Sequence, residues 1–213
     1  MVRILGLGTF LLPLMLLYGI GHASGHVLTS SPQACRWLAG HTLSTSQSER
    51  KAFREARRQS GVDVPIYLDP PAAIAQVAHI PNAPYLTAIP GRRARCVAVS
   101  PTWLRPLGDT LEQQWLIEVA IAGLKHQHTY HLMLHAAEHP PTGLFSGLAK
   151  WWGRRTADRA IMASERQATV WMGTDQQYAV TALEQLMHTA SFRDQKWLPS
   201  LFAQQQAVQS VSG

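Results

Sequence analysis

The sequence predicts an α+β fold, with an N-terminal hydrophobic helix, then a small sheet, then a helical half. Three observations predict it. An uncharged, leucine-rich run opens the chain from Ile4 to Ile20. Short apolar runs punctuated by prolines fill the stretch from Val64 to Val99. Long segments with helix start and stop signals then run from Asp109 to about Met187. Strands gathered in one part of the chain and helices in another make an α+β plan.

The opening run follows Arg3, a positive flank that directs the rest of the chain across a membrane. It sits at the short limit for a span and slightly above the length of a signal-peptide core. Gly21-x-Ala23 is an acceptable cleavage site. Residues 1–24 therefore read as a membrane anchor or a signal segment, with the anchor favoured. The expected location is a bacterial inner membrane with the domain on the periplasmic side. Cleavage would instead leave it periplasmic or secreted.

Residues 25–61 read as a linker, with an apolar patch at Trp37-Leu38, followed by a charged helix from Ser46 to Ser60 that stops at Gly61. Most of that helix's charge reads as a solvated face. Strands are expected at Val64–Leu68, Ala75–His79, Tyr85–Ile89 and Arg95–Val99. Asp109-Thr110-Leu111-Glu112 has the form of a capping box and opens a helix that runs to about Glu138, where Pro140-Pro141 end it. A second long helix is expected from about Arg155 to Met172, stopping at Gly173. A shorter one is expected from Asp175 to about Met187. Residues 191–213 form a mixed tail.

The chain has 213 residues, 46% of them hydrophobic and 15% charged, with a formal net charge of +6. That composition packs a core and excludes a disordered chain. The basic surplus suits anionic lipid or acidic envelope proteins. No nucleic-acid-binding signature accompanies it, so nucleic acid is not an expected partner. The two cysteines, Cys35 and Cys96, exclude a disulfide-dense scaffold and a four-cysteine zinc site. They are a possible disulfide in an oxidising compartment, or two free thiols.

Asn82-Ala83-Pro84-Tyr85-Leu86-Thr87-Ala88-Ile89-Pro90-Gly91, the Val97-x-Val99-Ser100 strand end, the helix through Glu118 to Gly123, Lys125-His126-Gln127-His128, and Glu165-Arg166-Gln167-Ala168-Thr169 occur in that order. In this the segment 62–190 resembles the zinc metallopeptidases typified by HtpX, BepA and the CaaX prenyl endopeptidase. The resemblance implies a zincin-like domain working at a membrane. It also implies zinc held by two histidines four apart on one helix and by a carboxylate from a later helix, with a glutamate base beside the first histidine. In the register of these segments the two ligand positions are Val119 and Gly123, the base position is Ala120 and the third ligand is Gln167. No His-Glu-x-x-His occurs anywhere in the chain. The resemblance thus implies a degenerate member with no catalytic residues and no cofactor, acting as a binding or scaffold component of an envelope assembly.

Two alternatives stand beside this reading. His131 and His135, four apart, with His128 and Glu138 nearby, offer a non-standard zinc set inside the His126–His139 segment, which would make the chain an active zinc metalloendopeptidase. The same histidines also read as surface side chains or as a pH-responsive patch. The other alternative is a membrane-surface adaptor unrelated to peptidases. Separately, Leu144, Phe145, Leu148, Lys150, Trp151, Trp152, Arg154 and Arg155 are aromatic and basic residues at helical spacing that suit a membrane interface, in a place where the resembling family often has a membrane-facing segment. The same segment also reads as an ordinary buried turn with a basic end. The Arg92-Arg93-x-Arg95 turn is expected to be solvated.

Overall fold

The computed structural model describes residues 32–78, 86–89, 94–108, 110–138, 146–173, 176–189, 204 and 206. The hydrophobic run at 4–20, with its anchor or signal reading, lies outside them. Among the described residues no helix is long and apolar enough to cross a membrane.

The described part is mixed α and β, mostly helical, with one small sheet. Its elements are α1 (residues 32–41), α2 (Gln47–Ser60), β1 (Ile66–Leu68), α3 (Pro71–Ala78), β2 (Leu86–Ile89), β3 (Cys96–Val99), α4 (Pro101–Leu104), α5 (Thr110–Glu138), α6 (Ser146–Met172) and α7 (Gln176–Thr189). The sheet has the order β1-β3-β2. β1 runs parallel to β3, pairing Ile66 with Val97 and Leu68 with Val99. β2 is antiparallel to β3, pairing Leu86 with Val99 and Ile89 with Cys96.

The central strand explains the layering. Side chains alternate across a strand, so Val97 and Val99 point to one face and Cys96 and Ala98 to the other. Val97 and Val99 join the main core with Phe53 of α2, Trp115, Leu116 and Ile117 of α5, and Leu183 of α7. Cys96 and Ala98 join a second core with Cys35 and Leu38 of α1 and Ile74 of α3. A strand buried on both faces reads as a continuous apolar run, and Cys-Val-Ala-Val is one. The outer edge of β1 is covered by the chain after α1. The Leu43 N–H donates to the Leu68 carbonyl at 2.7 Å, and the Leu68 N–H donates to Thr42 Oγ1 at 3.1 Å.

Several sequence expectations change here. Residues 32–41 are a helix rather than part of a linker, because Cys35 and Leu38 lie three apart and share a buried face. The stretch at 75–79 is not a strand: residues 75–78 belong to α3, and His79 lies outside the described residues. Pro71 presets the first helical turn and Ala72, Ala73, Ala75 and Ala78 favour helix. α6 begins at Ser146, well before Arg155. The boundary expected at residue 62 falls inside the packed unit, since Ala52, Phe53 and Ala56 of α2 belong to the main core.

α2 shows how local sequence fixes an end. Ser46 Oγ accepts from the Glu49 N–H at 3.2 Å, and Glu49 Oε2 accepts from the Ser46 N–H at 2.6 Å, a reciprocal capping box. Gly61 ends the helix at φ 65°, and Gly173 ends α6 at φ 64°, a backbone that glycine adopts without strain. Glu49 is buried rather than on the solvated face expected for α2, and its Oε1 accepts from Arg105 Nε at 3.1 Å. Burial alone would raise its carboxyl, but the Ser46 bonds and Arg105 together hold it below the ordinary range. Glu49→Ala is expected to cost about 1–3 kcal/mol in urea unfolding, by removing a cap and leaving α2 untied from Arg105.

Cys35 and Cys96 are joined by a disulfide with Cα atoms 5.9 Å apart, closing a separation of 61 residues. The bond fastens α1 to the central strand. Cys35→Ser with Cys96→Ser is expected to lower stability by about 3 kcal/mol, read as a fall in the urea midpoint, mainly through the freed unfolded chain.

Candidate functional site

The positions that the resemblance assigns to a zinc centre fall on α5 (Val119, Ala120 and Gly123) and α6 (Gln167). Trp115, near the start of α5, donates from Nε1 to Thr169 Oγ1, near the end of α6, at 3.2 Å. That contact makes the two helices antiparallel. Val119, Ala120 and Gly123 are all buried on α5, and Trp115 and Ala122 lie buried with them. Gln167 is only half-buried. At about 100° per residue it stands some 200° around α6 from Thr169. The side of α6 that meets Trp115 is therefore not the side that carries Gln167. The structure brings three of the four degenerate positions together on α5 and separates the fourth from them.

The polar groups that do meet here are others. Gln114 Nε2 donates to Glu118 Oε1 at 2.7 Å and also to Gln59 Oε1 of α2. Gln59 Nε2 donates to the Trp171 carbonyl of α6 at 2.8 Å. This chain ties α2, α5 and α6 together around Glu118, which is fully buried. Burial pushes the Glu118 carboxyl up to about 8, with the Gln114 amide pulling the other way. Glu118 Oε2 has no hydrogen-bond partner among the described residues.

Glu165 on α6 is also fully buried. It lies one turn before Thr169, and Glu118 lies almost one turn after Trp115, so the two carboxyl-bearing residues stand level on antiparallel helices. Sequence reasoning missed both. The signal was there: Ile117-Glu118-Val119-Ala120-Ile121 has the spacing of His-Glu-x-x-His, with isoleucine at both ligand positions and the glutamate kept. A search keyed on histidine passes over it. Ile117 and Ile121 are buried, and neither can hold a metal.

The other expected sites are partly described. His126 is half-buried, and burial, with Lys125 beside it, lowers its pKa. The side chains of His128, His131, His135 and Glu138 lie outside the described residues, as does His139. Among the described residues no group of three or more His, Cys, Asp or Glu side chains could hold a metal. Trp151 and Trp152 are 54% and 43% exposed, so they are not the buried turn. Arg155 lies over the Trp151 ring at 5.0 Å, and Arg154 pairs with Asp158 at 3.9 Å. Leu144 and Phe145, the side chains of Leu148 and Lys150, Arg92, Arg93, Asp109 and Asp175 lie outside the described residues. Arg95 is exposed.

Another buried acid, Asp69, sits beyond β1. The Asp69 N–H extends the parallel ladder to the Val99 carbonyl at 3.1 Å, which fixes the residue at the sheet's end. Its two carboxyl oxygens are buried without a hydrogen-bond partner among the described residues. Burial raises its pKa to about 6, against the opposing charge of His41. Folded Asp69 therefore holds its proton longer than unfolded Asp69, and stability falls as pH rises toward 6. Asp69→Asn is expected to stabilise the chain by about 2 kcal/mol above that pH and to do little below pH 4, as read by urea unfolding.

Comparison with family models, with curated proteins and with solved structures found no match to this chain.

Proposed function

We propose that the chain is a membrane-tethered, non-catalytic protein of metallopeptidase-like architecture, acting as a binding or scaffold component of an envelope assembly. One observation carries this reading. The α5 segment in the register of the expected motif is closed by apolar packing, with Ile117, Val119, Ala120 and Ile121 all buried beside the buried Glu118. Apolar side chains at both ligand positions lack the usual means of holding zinc and a zinc-bound hydroxide.

Three further features support it. The edge strand β2 packs on α5, the helix that carries the candidate positions. The Cys35–Cys96 disulfide suits an oxidising compartment such as the bacterial periplasm. The leucine-rich run before residue 24 supplies the tether.

The test is the metal content of the purified full chain, measured before and after chelation, alongside cleavage of an unfolded protein substrate. The expected result is zinc well below one equivalent and no chelator-sensitive cleavage. Stoichiometric zinc together with chelator-sensitive cleavage would overturn the reading in favour of an active zinc endopeptidase.

A further inference from the structure

The exposed face of α6 has one sign of charge. At about 100° per residue, Trp151, Arg155, Arg159, Arg166, Val170 and Trp152 fall within an arc of about 100°. All six are exposed. The stripe runs about 28 Å along the helix at 1.5 Å per residue. The acidic residues of α6 are Asp158 and Glu165. Glu165 is buried, and Asp158 is half-buried at the margin of the arc, against Arg154.

We propose that this face lies on an anionic phospholipid surface, with the Trp151-Trp152 end at headgroup depth and the arginines on lipid phosphates. Charge complementarity selects an acidic occupant, and the aromatic pair selects lipid over an acidic protein. Indole rings concentrate at the membrane interface, and arginine stems lie along apolar surface while their heads stay with phosphate. Each basic side chain at such a surface raises partitioning about fivefold. Arg155 stacked over Trp151 presents ring and charge from the same spot. The inference rests on the membrane-tethered reading for its supply of nearby lipid, because a tether turns a weak contact into an intramolecular one.

The test uses the full chain mixed with an excess of vesicles of phosphatidylcholine alone, or with phosphatidylglycerol added, carrying brominated acyl chains that quench tryptophan on contact. Residues 1–24 contain no tryptophan, so quenching reports the domain, and sedimentation with the vesicles reports the tether. The expected result is quenching several-fold stronger with phosphatidylglycerol and weakened by salt. It falls to background in W151F/W152F and at least tenfold in vesicle affinity in R155E/R159E/R166E, with circular dichroism unchanged in both. Quenching that survives either variant overturns the proposal. So does the absence of quenching by anionic vesicles, whether or not the chain sediments with them, and sedimentation then decides the tether separately. Binding of poly-glutamate lost in R155E/R159E/R166E, without lipid quenching, would give the face to an acidic protein instead.

Discussion

Histidines placed at Ile117 and Ile121 are expected to give the chain a zinc site on α5. In the I117H/I121H variant Glu118 stands directly after the first histidine, and the two histidines lie four apart on α5. Residues four apart share one face of a helix, the spacing that two imidazoles need to reach one ion. Without metal the variant should be destabilised, because two imidazoles replace apolar side chains in a closed core. Added zinc should reverse this, since metal that binds only the folded state stabilises it by mass action. The measurements are about one zinc per chain after dialysis and a zinc-dependent rise in melting temperature. The alternative set, V119H/A120E/G123H/Q167E, should bind no better than wild type, because Gln167 lies on the wrong side of α6. If that set binds zinc and I117H/I121H does not, the register through Glu118 is wrong.

The contrast between these two sets shows where sequence reasoning stops. Motif order along the chain places the candidate positions on two helices, α5 and α6. It does not say which way each residue points, and a shift of two residues turns a helix by about 200°. The Trp115–Thr169 bond supplies that orientation. Helix ends fared better, because the signal is local. Gly61 and Gly173 stop α2 and α6 with positive φ, and Ser46 with Glu49 opens α2, all within four residues. The sheet strands at 66–68, 86–89 and 96–99 were legible from their short apolar runs between prolines.

The misread elements are those whose burial depends on distant partners. α1 is short and polar on one side, and it is held by Leu38 packing against Ile74 and by a bond to Cys96 far along the chain. α3 carries Ile74 and Val77 toward the second core, and an apolar run of that length fits a strand as well as a helix. Glu49 looks like any surface acid until Arg105 is placed beside it. The tail gave no signal at all, and Gln204 within it is buried.

Glu118→Gln is expected to stabilise the protein, with a gain that grows with pH. The Glu118 carboxyl holds its proton to about 8 when folded and releases it near 4.5 when unfolded. Between those values the folded chain binds more protons than the unfolded chain, so stability falls as pH rises. The contribution is intact below about 4.5 and fully lost above about 8. Converted at 1.36 kcal/mol per unit, the loss has a ceiling of about 5 kcal/mol, and relaxation of the core will reduce it. Glutamine has nearly the same shape, keeps an oxygen for the Gln114 amide, and never ionises. E118Q and wild type should therefore unfold at similar urea concentrations near pH 4, and E118Q should be more resistant above pH 8 by a few kcal/mol. Glu118→Ala should not reproduce this, since it opens a cavity and leaves the Gln114 amide with one acceptor fewer. Equal stability of E118Q and wild type across the whole range would mean that Glu118 is not held protonated in the folded core. An aspartate or glutamate that must stay neutral to be buried costs the fold stability at neutral pH.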